Sequence, residues 1–410
     1  MNSDSGERAA LVLANGLVFE GRAFGAKKCA VGEAVFSTGM TGCIETLTDP
    51  SYYGQIITQT FPLVGNYGII SSDYESSKIH AKAYIVRDPC DAPSNFRCQK
   101  TLAQFLEEND VPGLCGIDTR ALTKVLRESG VMNAMLVSGS GAEAQEAFSA
   151  LEEPSKKAAL LEKIKSYKIE KAVQSVSLDA DKIQKPADQV FAESAQYRAV
   201  PVRSDGTKVN SQEEAMKAGR GKKVVLWDFG AKANIRRELL KRGLEVQTVS
   251  AAASAQEILS LNPDGIMLSN GPGDPAENVT IIEELKKILE KKIPLFGICL
   301  GHQILALAMG AKTSKLKYGH RGANQPVKRL STGRVYISSQ NHGYAVEAKS
   351  LPACAKETFV NTNDQTNEGL EYSDTPAFSV QFHPEAASGP LDTSFLFDEF
   401  VDLINGKKPA

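Results

Sequence analysis

The first third of the chain alternates short apolar runs with glycines and Asp-Pro pairs. This pattern predicts short strands that are joined by tight turns. The predicted strands are 10–13, 32–37, 55–60 and 83–87. Helices are predicted at 101–109 and at 121–128, and Asp118 or Thr119 would cap the second. We therefore expect a mixed domain of helices and strands in this part of the chain.

From Lys223 onwards, strand patterns and helix patterns follow each other in alternation. Strands are predicted at 224–227, 245–249, 265–269 and 295–298, and helices at 234–242, 255–260 and 279–291. Such alternation is typical of a parallel sheet with right-handed crossovers. Ligands of these sheets bind at the carboxyl ends of the strands, so the loop 270–274 and Cys299 should share one crevice.

Between these regions the apolar pattern weakens. Residues 143–171 are rich in Ala, Glu and Lys at helical spacing, which indicates an amphipathic surface. Residues 196–221 combine turn formers with basic residues and are predicted to be a linker. The predicted fold class is thus α/β, with a mixed amino-terminal domain over 1–195 and a doubly wound domain over 222–410.

Composition narrows the classes of partner. The 410 residues include 23% charged and 42% hydrophobic side chains, with a net charge of −2, which gives no general argument for binding nucleic acid or an anionic membrane. The apolar run Leu11–Leu13 is too short for a signal peptide or a membrane span. Seven cysteines without a C-x-x-C pair indicate a reducing cytoplasm, and five histidines without an i, i+4 pair predict no metal site.

One cysteine stands where an apolar strand pattern meets a helix pattern. Cys299 follows the predicted strand 295–298, and Gly297 and Gly301 flank it with room for a tight reversal. A thiol at a helix N-terminus faces unpaired N–H groups, which favour the thiolate. The motif therefore predicts a nucleophile, although a small cysteine packed beneath a turn explains this segment equally well when it is taken alone.

A histidine and a carboxylate follow the last predicted strand, 378–382. Pro384 favours extended backbone at His383, and residues two apart in extended backbone face the same side. The Glu385 carboxylate can thus hold the imidazole of His383, which would act as the base for the thiol. An ordinary surface histidine is the alternative explanation of this tripeptide.

Two further segments suit a pocket. The loop 270–274 lacks the Lys-Ser/Thr of a phosphate loop, but its glycines would let N–H groups approach an oxyanion; a plain tight turn is the alternative. Residues 338–344 supply amides, an imidazole and an aromatic ring that suit a polar amino acid. His342 has no neighbouring carboxylate, so we assign it to pocket shape rather than base catalysis, and we assign His302 and His320 to structure.

Together, 297–303 and 383–385 resemble the class I glutamine amidotransferases over roughly 224–405. Residues 32–42, 47–52, 65–68 and 116–123 resemble the amino-terminal domain of the carbamoyl-phosphate synthase small subunits. The resemblance implies Cys299 as nucleophile, His383 as base and Glu385 as its partner. It also implies an oxyanion hole from the N–H groups of Gly271 and Leu300, with glutamine contacts from Ser51, Gly273, Gln303, Asn341, Gly343 and Tyr344.

The resemblance also implies a partner. Glutaminase subunits of this family deliver ammonia to a large subunit that uses bicarbonate, ATP and Mg²⁺ to make carbamoyl phosphate, so we expect a heterodimer and no cofactor on this chain. Tyr344 stands where the family often has phenylalanine, Cys43 replaces a frequent tyrosine, and 179–221 is longer than in bacterial subunits. The alternatives are the glutaminase of another synthase, such as anthranilate or GMP synthesis, and a binding or regulatory subunit without turnover.

Overall fold

The computed structural model describes residues 7–179, 218–386 and 388–407. The chain forms two compact units, Met1–Glu170 and Lys171–Ala410. Most of the predicted linker, residues 196–217, lies outside the described residues. No helix in the described ranges is both long enough and apolar enough to cross a membrane.

The first unit is built on a closed barrel. Its strands are β1 (Arg8–Leu13), β2 (Val18–Gly25), β3 (Ala30–Ser37), β4 (Gln55–Gln59), β5 (Leu63–Val64), β6 (Ala83–Ile85), β7 (Asp88–Pro89), β8 (Pro112–Cys115) and β9 (Met132–Ser138). Its helices are α1 (Cys43–Thr48), α2 (Leu102–Glu108), α3 (Thr119–Ser129), α4 (Ala142–Glu152) and α5 (Pro154–Lys165). Seven strands close in the order β1-β2-β8-β6-β4-β3-β9, and β5 pairs with β7.

Strand β1 shows why the sequence pattern there is continuously apolar. Leu11 belongs to a cluster with Leu114 and Leu136 that fills the barrel, while Val12 belongs to a cluster that includes Leu160 of α5. Successive side chains of a strand point to opposite faces, so both faces of β1 are covered. A strand that is covered on both sides loses the polar alternation of a half-exposed one.

The second unit is a nine-stranded sheet between layers of helices. Its strands are β10 (Lys223–Asp228), β11 (Glu245–Ser250), β12 (Gly265–Leu268), β13 (Leu295–Ile298), β14 (Thr313–Arg329), β15 (Val335–Val346), β16 (Ala355–Asn361), β17 (Asn367–Tyr372) and β18 (Ala377–Val380). Its helices are α6 (Ala172–Val176), α7 (Ala233–Lys241), α8 (Ala255–Ser260), α9 (Val279–Leu289), α10 (Leu300–Ala308) and α11 (Phe395–Ile404). The strand order is β11-β10-β12-β13-β18-β17-β16-β14-β15.

This sheet confirms the predicted doubly wound arrangement and extends it. Strands β11, β10, β12, β13 and β18 are parallel, whereas β17, β16, β14 and β15 add antiparallel pairs that the sequence patterns did not predict. Trp227 and Ile304 pack on one face, and Leu226 and Phe397 pack on the other. The carboxyl ends of β10, β12, β13 and β18 therefore form one edge of a sheet that is buried on both sides.

Candidate active site

Cys299 alone separates the end of β13 from the start of α10. Its φ of 53° and ψ of −103° are rarely adopted by a residue with a side chain. The backbone is held there by the N–H of Cys299, which donates to the carbonyl of Val380 at 2.9 Å. The strand-to-helix turn is therefore sharp, and it sets the thiol at the N-terminus of α10.

Two glycines allow this turn to pack closely. A Cβ on Gly301 would lie 2.5 Å from the Leu268 carbonyl oxygen, and a Cβ on Gly271 would lie 2.3 Å from the carbonyl oxygen of Phe229 and 2.7 Å from the side chain of Leu300. Neither glycine has a positive φ. Their role is close approach, and the result is that the backbone of Gly271 lies beside the start of α10, as the predicted shared crevice requires.

The thiol of Cys299 is 2% exposed and lies among amide groups. Its Sγ is 3.8 Å from the carbonyl oxygen of Asn341 and accepts from Nε2 of Gln381 at 3.6 Å. The Oε1 of Gln381 accepts from Nε2 of Gln303 at 2.9 Å, and that Nε2 also donates to the Tyr344 carbonyl at 2.8 Å. Gln303 thus braces the pocket through two partners, and Gln381 is a contact of the thiol that sequence reasoning missed.

His383 and Glu385 form the predicted pair. Nδ1 of His383 lies 2.7 Å from Oε1 of Glu385, and each residue is 1% exposed. Because a carboxylate only accepts, Nδ1 carries a hydrogen, and in the neutral ring Nε2 keeps a lone pair. Nε2 has no hydrogen-bond partner among the described residues. The histidine follows β18 and the cysteine follows the adjacent β13, so both lie at the same edge of the sheet.

Lys232 is a second partner of Glu385 that the sequence did not reveal. Its Nζ lies 3.1 Å from Oε1 of Glu385, and its side chain is 11% exposed. Burial raises the pKa of Glu385, but the Lys232 ammonium and His383 outweigh burial and lower that pKa to about 2. The only sequence signal was a lysine in the loop after a predicted strand, at the edge where ligands bind.

The remaining predicted contacts fall in both units. Gly343 lies on β15 with Asn341 and Tyr344, and Gly273 has a φ of 88° beside Ala172. Ser51 lies in a short 3₁₀ turn of the first unit, where it is 8% exposed and its N–H donates to Oδ1 of Asp49 at 2.9 Å. Its contact with glutamine stays a prediction.

Comparison with known proteins gives matches over nearly the whole chain. Residues 225–403 match the glutamine amidotransferase class-I family, and residues 11–136 match the CPSase domain of the carbamoyl-phosphate synthase small chain. The carbamoyl phosphate synthase small chain of Listeria monocytogenes (strain F2365) is 46% identical over 399 residues, which are 97% of each chain. The small chain of Clostridium perfringens is 46% identical over 394 residues, 96% of this chain and 99% of that one. The small chain of Bacillus caldolyticus is 45% identical over 396 residues, 96% of each. With such identity along almost its entire length, this chain belongs to the carbamoyl-phosphate synthase small-chain family.

Proposed function

We propose that this chain hydrolyses L-glutamine to glutamate and ammonia and delivers the ammonia to a carbamoyl-phosphate synthase large chain. The observation that carries the proposal is the buried thiol of Cys299, held at a helix N-terminus at the same sheet edge as the His383–Glu385 pair. A thiol, a base and an orienting carboxylate are the parts that acyl transfer through a thioester requires.

The reaction begins when Nε2 of His383 takes the proton of Cys299. The thiolate attacks the side-chain amide carbon of glutamine, and the N–H groups of Gly271 and Leu300 stabilise the negative oxygen. The C–N bond then breaks as His383 returns the proton to the departing ammonia, which leaves a thioester. Water, deprotonated by His383, attacks the thioester; the C–S bond breaks, glutamate is released, and Cys299 regains its proton.

The electrostatics of Glu385 suit its part in this sequence. With its pKa lowered to about 2, the carboxylate stays ionised at neutral pH and stabilises the imidazolium that forms in each half-reaction. Lys232 keeps this buried carboxylate paired in every protonation state of His383. The carboxylate therefore fixes the tautomer without itself taking the proton.

The substrate would be held by Ser51, Gly273, Gln303, Asn341, Gly343 and Tyr344. The large chain would bind ATP and Mg²⁺ and combine ammonia with bicarbonate, so the working unit would be at least a heterodimer in the cytoplasm. The relatives are named small chains, which supports a larger partner. Carbamoyl phosphate from this reaction would supply arginine synthesis, pyrimidine synthesis or both.

The test uses the purified chain with Cys299→Ser, and with Cys354→Ser as a matched control in the same unit. Replacement of the nucleophile should lower glutamine hydrolysis by at least about a thousandfold and abolish covalent labelling by the glutamine analogue diazo-oxo-norleucine, while the control keeps both. Retained hydrolysis in Cys299→Ser would contradict the assignment. Absence of labelling in the unmodified chain would favour a subunit without turnover.

A second experiment tests the destination of the ammonia. The complex of Cys299→Ser with the large chain should form carbamoyl phosphate from ammonium chloride but not from glutamine. If the unmodified complex forms carbamoyl phosphate from ammonium chloride but not from glutamine, the chain serves another synthase.

A further inference from the structure

A cluster of buried ionisable groups lies on the antiparallel part of the second sheet. His320 on β14 is 7% exposed; its Nε2 lies 2.8 Å from Oδ2 of Asp364, and its Nδ1 lies 3.5 Å from Oε1 of Glu368. The ring of His342 meets the ring of His320 edge-on, with centroids 4.9 Å apart. One ligand atom each from His320, His342 and Glu368 lie within 4.8 Å of one another, a set that resembles a metal site.

The hydrogen bonds favour a proton rather than a metal at this cluster. Nδ1 of His342 donates to the Tyr344 carbonyl at 2.7 Å, and its Nε2 lies 3.1 Å from Oε1 of Gln340. Glu368 already accepts from Nε2 of Gln340 at 3.0 Å. Nε2 of His320 and the carboxylate of Glu368 are therefore engaged by hydrogen bonds, and an imidazolium at His320 supplies the positive charge that Asp364 and Glu368 face.

Nε2 of His320 is hydrogen-bonded to Asp364, and Nδ1 lies within ion-pair distance of Glu368 without a hydrogen bond, so the two carboxylates favour a ring that carries both hydrogens. Burial lowers the pKa of His320, but Asp364 and Glu368 outweigh it and raise the pKa to about 9. The pKa of His342 is well below its usual range because of burial first and then the charges of His320 and Arg321. The cluster thus pairs a charged histidine with a neutral one.

The pairing of β14 with β15 links this cluster to the thiol. His320 pairs with His342, Arg321 with Asn341 and Gly322 with Gln340, and the register shifts on both sides of these three pairs. Asn341, in the middle of the stretch, is the residue whose carbonyl lies 3.8 Å from Sγ of Cys299. A stretch bounded by irregularities receives little support from the rest of the ladder, so its side chains must hold it in place.

We propose that His320, in its doubly protonated form, is a positioning residue that holds residues 340–344 in place for glutamine binding, a role that rests on the proposed glutaminase function. It acts through Glu368, which holds the amide of Gln340, and through its edge contact with the ring of His342. It does not take part in the bond-making steps. Loss of His320 should therefore raise the KM for glutamine and leave kcat nearly unchanged.

The first test is His320→Gln, which removes the charge and keeps a polar side chain. The KM for glutamine should rise by at least about tenfold, with kcat within about threefold of the unmodified chain. Labelling by diazo-oxo-norleucine should slow in parallel. Alkylation of Cys299 by iodoacetamide, which needs no glutamine pocket, should keep its rate and so report an intact fold.

The pH dependence gives a second test. A histidine with a raised pKa holds its contacts below that pKa and loses them as the pH rises through it, so the unmodified chain's KM should rise above a pH of about 9. Asp364→Asn, at a partly exposed position, should move this rise to lower pH. In His320→Gln the KM should rise only as far as loss of the proton from glutamine's own α-ammonium group requires, so the difference between the two pH profiles reports His320.

Two further variants lie on β17, one at the carboxylate that faces His320 and one as a control. Glu368→Gln should reproduce His320→Gln, and the double variant should be no worse than either single one. Glu371→Gln removes a half-buried carboxylate of β17 that pairs with Lys356 and should leave the KM unchanged. An unaltered KM in His320→Gln, or stoichiometric zinc in the purified chain, would overturn this proposal alone. Absence of hydrolysis and labelling in the unmodified chain would overturn the proposed function as well.

Discussion

The strained backbone at Cys299 makes a prediction about stability that is independent of any assay of function. Its φ of 53° and ψ of −103° suit glycine rather than a residue with a side chain. We therefore compare Cys299→Gly with Cys299→Ala. Both variants lack the thiol, and only alanine keeps the Cβ that makes the backbone unfavourable.

The expected size follows from three contributions. A residue with a side chain in such a sparsely populated region costs about 1–3 kcal/mol. Glycine loses about 0.5–1 kcal/mol relative to alanine through the greater entropy of its unfolded chain. Burial of the alanine methyl stabilises the alanine variant by about 0.8 kcal/mol, whereas the strain destabilises that variant. Cys354 has no positive φ and is half-buried, so the same pair of substitutions there contains the entropy contribution and part of the methyl contribution without the strain.

The measurement is urea unfolding of the four variants followed by tryptophan fluorescence. The chain has a single tryptophan, Trp227, which is fully buried on β10, so its signal reports the second unit. Alanine should be the more stable choice at Cys354. At Cys299, the unfolding free energy of the glycine variant minus that of the alanine variant should be about 1–3 kcal/mol higher than the same difference at Cys354. Differences at the two sites that agree within about 0.5 kcal/mol, the usual limit of additivity, would refute the reasoning.

Three further predictions concern the surroundings of the thiol. The pKa of Glu385 is lowered from its usual 4.5 to about 2, so its ionisation stabilises the fold above pH 4.5, and this stabilisation is lost as the pH falls towards 2. The urea midpoint of Glu385→Gln should therefore change less between these pH values than the midpoint of the unmodified chain. Gly301→Ala should destabilise the fold by about 1–3 kcal/mol through overlap with a carbonyl oxygen. Gly141→Ala is the control: a Cβ there meets nothing within 4 Å, and loss of the N-cap glycine of α4 opposes the lower entropy of the unfolded chain, so the same thermal melts should show a change below about 1 kcal/mol. Gln381→Leu removes a donor to Sγ of Cys299 and should slow alkylation of that thiol by iodoacetamide several-fold at neutral pH. Mass spectrometry of the labelled peptide measures the rate, and an unchanged rate would show that this amide does not stabilise the thiolate.

The parallel half of the second unit could be predicted from the sequence because its signals are local. Strand 295–298 and helix 255–260 were predicted with the bounds that the structure has. The contact between His383 and Glu385 also depends on a local property, the extended backbone that places residues two apart on one side. Patterns of this kind act within a few residues and need no knowledge of the partner elements.

Features that depend on distant pairing could not be predicted in the same way. The predicted amphipathic region 143–171 contains two helices, because Pro154 begins α5 immediately after α4 has ended. Closure of the first-unit barrel requires β9 to pair with β1 across most of that unit. Lys232 follows β10, the first strand of the second unit, whereas Glu385 follows β18, the last one. Their contact joins positions far apart in the sequence, and the residues next to each of them do not indicate it.

Several groups at this edge have an unfavourable local energy. Cys299 has a torsion that its side chain disfavours, and Lys232 and Glu385 are charges withdrawn from water. Local patterns indicated Cys299 and Glu385 as site residues, but they report what a segment prefers by itself and therefore did not reveal Lys232, whose position depends on the buried carboxylate. The support lies in the sheet beneath: Phe296 of β13 stacks on Phe378 of β18 with centroids 4.4 Å apart, immediately below the edge that carries these groups. Packing that joins β13 to β18 therefore also supports the spacing between the thiol and the imidazole, so substitutions at this aromatic pair should lower the proposed glutamine hydrolysis as well as the free energy of unfolding.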